Sequence, residues 1–177
     1  MNLKPLLFIL LPATLSAHAQ HGVHEHGFGQ LNLVLSQQQL VLELHSPAAD
    51  IVGFEHNPAT GEEQAAYDQA LQKAQHAAAL FTLPASAGCE LQQTRHIEQE
   101  DHEHGEHQHE EHDHEHGHTD IQLHYSWQCS QPDALNALDA SGLFTQFPSF
   151  HRIELQGIVP TGQVAATLTA QQPKANW

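Results

Sequence analysis

Two short segments constrain the fold of this chain more than any other feature. "CELQQTRHI" (Cys89–Ile97) and "IQLHYSWQC" (Ile121–Cys129) both alternate in character, and they mirror one another across a histidine-rich stretch. Folded back so that Cys89 faces Cys129, the segments also set Leu91 opposite Trp127, Gln93 opposite Tyr125, Arg95 opposite Leu123 and Ile97 opposite Ile121. A slip of one residue turns every side chain to the other face, so a register that aligns all these pairs on one face is a specific signal. Opposed strand residues can also meet disulfide geometry. The expectation is a β-hairpin locked at its base by a Cys89–Cys129 disulfide, with the histidine-rich stretch as its connection. The alternative for the two cysteines is a pair of thiolate metal ligands. Long insertions are tolerated at such a place because loop-closure entropy rises slowly with length.

The disulfide expectation depends on export. "MNLKPLLFILLPATLSAHAQ" carries Lys4, an apolar core from Leu6 to Leu11, and an Ala17-His18-Ala19 ending. That is the pattern of a secretory signal peptide, residues 1–19, cut after Ala19. The apolar run is too short for a permanent membrane span. An oxidising compartment favours the disulfide. The formal net charge is −16 with histidines neutral, and loss of the leader removes Lys4 and no acid. Such acidity argues against nucleic acid and anionic membranes and suits a cationic partner. Residues 20–177 are expected to form a single metal-binding domain, with 99–120 as a flexible His/Asp/Glu-rich insert.

The remaining segments predict an α+β fold. "FGQLNLVLSQQQLVLELHS" alternates, with Leu31, Leu33 and Leu35 in one run and Leu40, Leu42 and Leu44 in the next, a hairpin with one buried face. "SPAADIVGFEHNP" reads as a loop or short irregular segment. "TGEEQAAYDQALQKAQHAAALF" reads as a helix, with a capping box of Thr60 and Glu63 and an apolar stripe through Ala66, Ala70, Ala74 and Ala77. "QPDALNALDASG" predicts a second helix between Pro132 and Gly142, and "LFTQFPSF" a buried aromatic connector. "HRIELQGIV" and "QVAATL" predict two strands about the turn Pro160-Thr161-Gly162. The architecture expected is antiparallel sheet built from hairpins, with two helices on one side and one long disordered His-rich loop between two strands.

That loop, "HEHGEHQHEEHDHEHGH" (His102–His118), holds eight of the chain's eighteen histidines and six acids. Its candidate ligands are His102, His104, His107, His109, His112, His114, His116 and His118. Neutral imidazole donates a lone pair to Zn(II), Cu(II) or Ni(II), and carboxylates can complete the shell. Residues two apart in an extended segment point the same way, so each H-x-H pair can share an ion. High charge and the lack of apolar surface predict disorder. A solvated linker is the bland alternative, but linkers have no need of imidazole. "HEHGH" formally matches the zinc-protease H-E-x-x-H pattern and "HDHEH" its inverse. Both follow from composition, and the rigid helix that the mechanism requires is not predicted here.

A second group lies near the start of the mature chain. His24 and His26 in "QHGVHEHG" precede the first strand, and His56 in "GFEHNP" lies just outside regular structure; these three are candidates for an ordered metal site. His45, His76, His96 and His151 stand alone and read as surface or hydrogen-bonded residues. Taken together, "HEHGFGQLNLVL", "SPAADIVGFEH", the acidic histidine-rich insert, the Trp-Gln-Cys strand and "FPSFHRIELQGIVPTGQ" resemble the periplasmic zinc-binding ZrgA family of proteobacteria. The resemblance covers nearly the whole mature chain. It implies a periplasmic protein that binds several zinc ions in the service of uptake, with an inner-membrane ABC importer as the partner. It carries His24, His26, His56 and the insert histidines over as ligands.

The leading expectation is thus a zinc-capturing and delivery protein and not an enzyme. Storage or detoxification of copper or nickel is the alternative, since affinity trends favour Cu(II) over Zn(II) at any nitrogen site. A metal-dependent hydrolase would need a fixed three-ligand zinc with an open position beside a pocket.

Overall fold

The computed structural model of the protein describes residues 25–97 and 119–177. The chain runs β1 (Phe28–Ser36), β2 (Gln39–Pro47), α1 (Ala48–Ile51), α2 (Gly61–Ala74), α3 (Ala77–Leu80), β3 (Cys89–Ile97), β4 (Asp120–Cys129), β5 (Ala137–Asp139), α4 (Ser141–Gln146), β6 (Arg152–Val159), β7 (Gly162–Leu168) and β8 (Lys174–Asn176). Six strands form one sheet in the order β3-β4-β2-β1-β6-β7, and β5 pairs with β8 separately. Every pairing is antiparallel except that of β1 with β6. The fold is α+β, as expected, and its sheet is mostly antiparallel. The histidine-rich loop lies outside the described residues.

The alternating leucines explain why one sheet face is dry. Leu33 of β1 pairs with Leu42 of β2, which pairs with Tyr125 of β4; Leu31, Leu44 and Leu123 form the next row. All six side chains are buried, and Leu155, Ile153 and Leu168 extend the layer across β6 and β7. The helical layer sits on this face through Ala74, Ala77, Leu80, Leu143, Phe144, Phe147 and Phe150. Tyr125 crosses the core and donates its hydroxyl to Ala74 O at 2.7 Å, satisfying a carbonyl at the end of α2. Its burial pushes the phenol pKa up.

Helix α2 begins as the residues predict. Thr60 Oγ1 accepts from Glu63 N at 3.1 Å while Glu63 Oε2 accepts from Thr60 N, completing the capping box. The helix does not run through to Leu80: Gln75 and His76 break it, and α3 restarts at Ala77. The core-facing stripe is the half-buried Tyr67, Ala70 and Leu71 with the buried Ala74, whereas Ala66 is exposed.

Four other expectations are corrected. The segment after Pro47 is not all loop, since Ala48–Ile51 forms α1. Among the described residues there are four α-helices rather than two. The helix expected from Pro132 to Gly142 is a single 3-10 turn over Pro132–Ala134 followed by β5. Tertiary pairing overrides the local signal there: β5 is held by β8, and Trp177 donates through its amide to Asn136 O and through Nε1 to Leu135 O. Gly142 then lies inside α4, so the aromatic connector is partly helical, although its phenylalanines are core as expected.

The β3–β4 hairpin exists, and Cys89 is bonded to Cys129. Cys89 faces Cys129 and Leu91 faces Trp127, but a bulge between Leu91 and Gln93 shifts the rest of the ladder by one. Thr94, not Gln93, therefore faces Tyr125; His96, not Arg95, faces Leu123; and Ile97 faces Gln122. The extra residue, Gln92, turns its side chain back to Glu90 O at 3.2 Å. The disulfide sits at the base of the hairpin, as expected. It closes the end of the hairpin remote from the insert, which leaves after Ile97 and returns at Asp120. Asp120 opens β4, so the last residue of the expected 99–120 insert belongs to the sheet, and Thr119 is tied to it.

Candidate functional site

Strand direction gathers the chemistry at one end of the sheet. The start of β1, the end of β2, the start of β4, the end of β3 and the start of β6 all lie there, because Phe28 pairs with Arg152, Gln30 with His45, Pro47 with Asp120 and Ile97 with Gln122. Both stems of the insert, the chain entering β1 and the loop after α1 therefore share one end. Thr119 binds this end directly: its N–H donates to Glu55 O at 3.2 Å, and its carbonyl accepts from Ala48 N at 2.8 Å.

Gly27 is the hub of the corner. Its amide donates to both carboxylate oxygens of Asp50 at 2.9 Å. Its carbonyl accepts from His151 N at 2.8 Å and Arg152 N at 3.0 Å. Its φ of +78° places it in the left-handed region that favours glycine. A Cβ at Gly27 would collide with Cδ2 of His151. Asp50 is the only buried carboxylate among the described residues. Burial raises its pKa above the ordinary carboxylate value, against the lowering effects of the Gly27 amide and the His26 and His151 imidazoles; Glu55 adds to the rise.

The neighbouring charged groups are arranged in pairs. His26 Nε2 stands 3.4 Å from Glu55 Oε1. Arg152 reaches Glu25 at 3.5 Å and Glu154 at 3.4 Å, and its guanidinium lies 4.9 Å from the Phe28 ring centroid. His56 Nε2 lies 3.4 Å from Glu63 Oε1. Glu63 is the capping-box carboxylate, and its other oxygen also accepts from Ala59 N at 2.8 Å. The Ala59 amide is the main cause of a lowered Glu63 pKa, with His56 and Thr60 adding to it.

The structure thus gives His26 and His56 different carboxylates. His24 and the insert ligands His102, His104, His107, His109, His112, His114, His116 and His118 lie outside the described residues. Among the described residues, no three His, Cys, Asp or Glu side chains stand ready as a metal cage. His45 and His124 are half-buried in β2 and β4, with His124 between Arg95 and Glu43 in register. His96 meets the Tyr67 ring edge-on at 6.5 Å, and His76 is exposed between α2 and α3. Sequence reasoning passed over Asp50, Glu55 and His151. One signal was available: Asp50 interrupts the apolar run around "PAADIV", and a buried acid requires dedicated donors.

No helix among the described residues is long and apolar enough to cross a membrane. No curated protein matches the chain at a significant level. The family model for "ZrgA family zinc uptake protein" matches residues 23–177, a span that takes in the corner, the insert and the whole sheet. The chain belongs to the ZrgA family of zinc uptake proteins.

Proposed function

We propose that this protein is exported to the periplasm by its residue 1–19 leader, captures Zn(II) on the histidines of its insert, and passes the ion to a zinc uptake system through an inner-membrane ABC importer. The family match supports zinc as cargo. The observation that carries the reading is the convergence of both insert stems, Ile97 and Asp120, with His26 and His56 at one end of the sheet. A dense set of imidazoles and carboxylates supplies the donors that zinc takes. Several ions per chain follow from eight insert histidines. No catalytic role is assigned: the family is one of uptake proteins, and the chemistry needed is binding and release.

The test is metal analysis of the protein isolated from its own periplasm, alongside a variant lacking residues 99–118. Zinc as the main metal, mostly lost with the insert, is the expected result. Copper or nickel in place of zinc would convert the reading to storage or detoxification of those metals. Zinc unchanged by the deletion would remove the insert from the mechanism.

A further inference from the structure

We propose that the corner around Gly27 is itself an ordered Zn(II) site, with His26, Glu55 and His151 as its protein ligands and Asp50 as the residue that positions them. The inference rests on the zinc-uptake reading and gives it a defined receiving site. His26 and Glu55 already meet at 3.4 Å, a separation at which one ion can bridge imidazole and carboxylate. His151 is anchored one residue away. Its amide bonds to Gly27 O at 2.8 Å, and its ring lies against the Gly27 backbone, in space that a side chain at Gly27 would fill. His26 and His151 are exposed, and both imidazoles lie near enough to the Asp50 carboxyl to act on it, so the proposed site forms when the two rings turn to a common ion.

Two imidazoles and a carboxylate form a donor set of zinc sites that keep an open fourth position. An open position suits an ion that must arrive from one set of donors and leave to another. Asp50 lies behind this set. It grips the Gly27 amide with both oxygens and so holds the turn that carries His26. Its negative charge acts on both imidazoles. Outer groups of this kind orient the ligands of a metal site. His56 is a poorer ligand by the same logic. Its carboxylate partner, Glu63, is engaged by the Ala59 and Thr60 amides, so an ion there would compete with the cap of α2.

The test uses the full mature chain with labelled histidine, titrated with Zn(II) alone while imidazole resonances are followed. The first equivalent should move the ring nitrogens of His26 and His151 before those of the other histidines. His151→Ala and Glu55→Gln should each weaken the first equivalent at least about tenfold in competition with a chromogenic chelator. His76→Ala, on the exposed link between α2 and α3, should leave it within about twofold, as a surface substitution away from the site does. The hydrogen bonds of His151 to Gly27 are backbone ones, so His151→Ala keeps them; an unchanged urea midpoint confirms the fold, and His151→Gln serves if it does not. Asp50→Ala should weaken the same equivalent, and Asp50→Asn, which retains an acceptor for the Gly27 amide, should restore part of it. A first equivalent on other histidines, or one untouched by His151→Ala and Glu55→Gln, overturns the corner site while zinc capture stands. Loss with neither Asp50 variant overturns the positioning role. Failure of the wild-type chain to take up zinc at any ratio overturns both the site and the uptake reading.

Discussion

Gly27 and Asp50 show how single residues hold the corner together. Gly27 adopts φ +78° and has the His151 ring where a side chain would stand. Gly27→Ala should therefore cost about 1 kcal/mol for the backbone conformation alone. The collision with His151 adds to that, and the first zinc equivalent should weaken with it; urea unfolding and zinc competition on the same variant check both. Asp50→Ala removes a buried acceptor pair from the Gly27 amide and should cost about 1.5–3 kcal/mol, read as a lower urea midpoint with an unchanged slope. The pH dependence has a definite sign. Burial raises the Asp50 pKa despite the Gly27 amide, His26 and His151, so the folded protein binds this proton more readily than the unfolded chain does. Asp50 therefore contributes stability that grows as pH falls through its raised folded value towards the ordinary one near 3.9. In urea at pH 7 and at about pH 4.5, wild type should gain on Asp50→Asn at the lower pH. A gap between them that widens against wild type in acid would refute this account of the buried carboxyl. Beyond the acid that interrupts an apolar run, this was not legible from the residues one at a time, because His151 meets Gly27 only when β1 pairs with β6, and Asp50 reaches Gly27 only from α1 beyond the β1–β2 hairpin.

At the scale of elements, legibility followed periodicity. In the β1–β2 hairpin and in β6–β7 a buried aliphatic residue recurs at most alternate positions, and both hairpins were readable. The capping box was readable because Thr60 and Glu63 are local partners. The bulge at Gln92 was not: "ELQQTRH" is an edge stretch with one apolar residue, so no apolar row fixes its register. Strands β5 and β8 have three residues each, too few to show alternation. The parallel pairing of β1 with β6 joins segments more than a hundred residues apart, which no local pattern encodes. Two predictions belong here. Thr60→Ala should cost about 1 kcal/mol, measured by urea unfolding. Its cap partner Glu63 has a lowered pKa, so the cap's contribution is present at neutral pH and is lost as pH falls through that depressed value. The second prediction concerns the disulfide, whose cysteines are 40 residues apart in sequence. Denatured, unreduced protein should show no free thiol. Replacing both cysteines by alanine should cost about 4 kcal/mol on the chain-entropy estimate. Because the bond lies at the end of β3–β4 away from the corner, bound zinc should be unchanged in the alanine variant wherever it remains folded. A loss of zinc there would mean that the far end of the hairpin governs the metal-binding end.

For the whole molecule, the division of labour is between a sheet that folds around leucine and aromatic side chains and one end of that sheet where acids and imidazoles collect. Core residues come from every described strand except β3, which contributes only its half-buried Cys89 to the packing. Removal of residues 99–118 between Ile97 and Thr119 should thus leave cooperative thermal unfolding intact while most bound zinc is lost. The pH response then separates two tiers of sites. Imidazole binds metal only when neutral, and its reference pKa is near 6.5. Protons therefore compete with zinc for imidazole at mild acidity. Zinc on the insert should be released between about pH 7.5 and about pH 5.5, with protons taken up as it leaves. A site at His26, Glu55 and His151 should hold its ion to lower pH, since a carboxylate ligand and a turn fixed by Asp50 leave less to organise on binding. Zinc retention against pH should therefore show two steps in the intact chain. The lower-pH step should vanish in His26→Ala and in His151→Ala, and the higher-pH step should vanish on deletion of the insert. A single step that neither histidine substitution alters would leave the insert as the sole reservoir and remove the corner from the path of the ion.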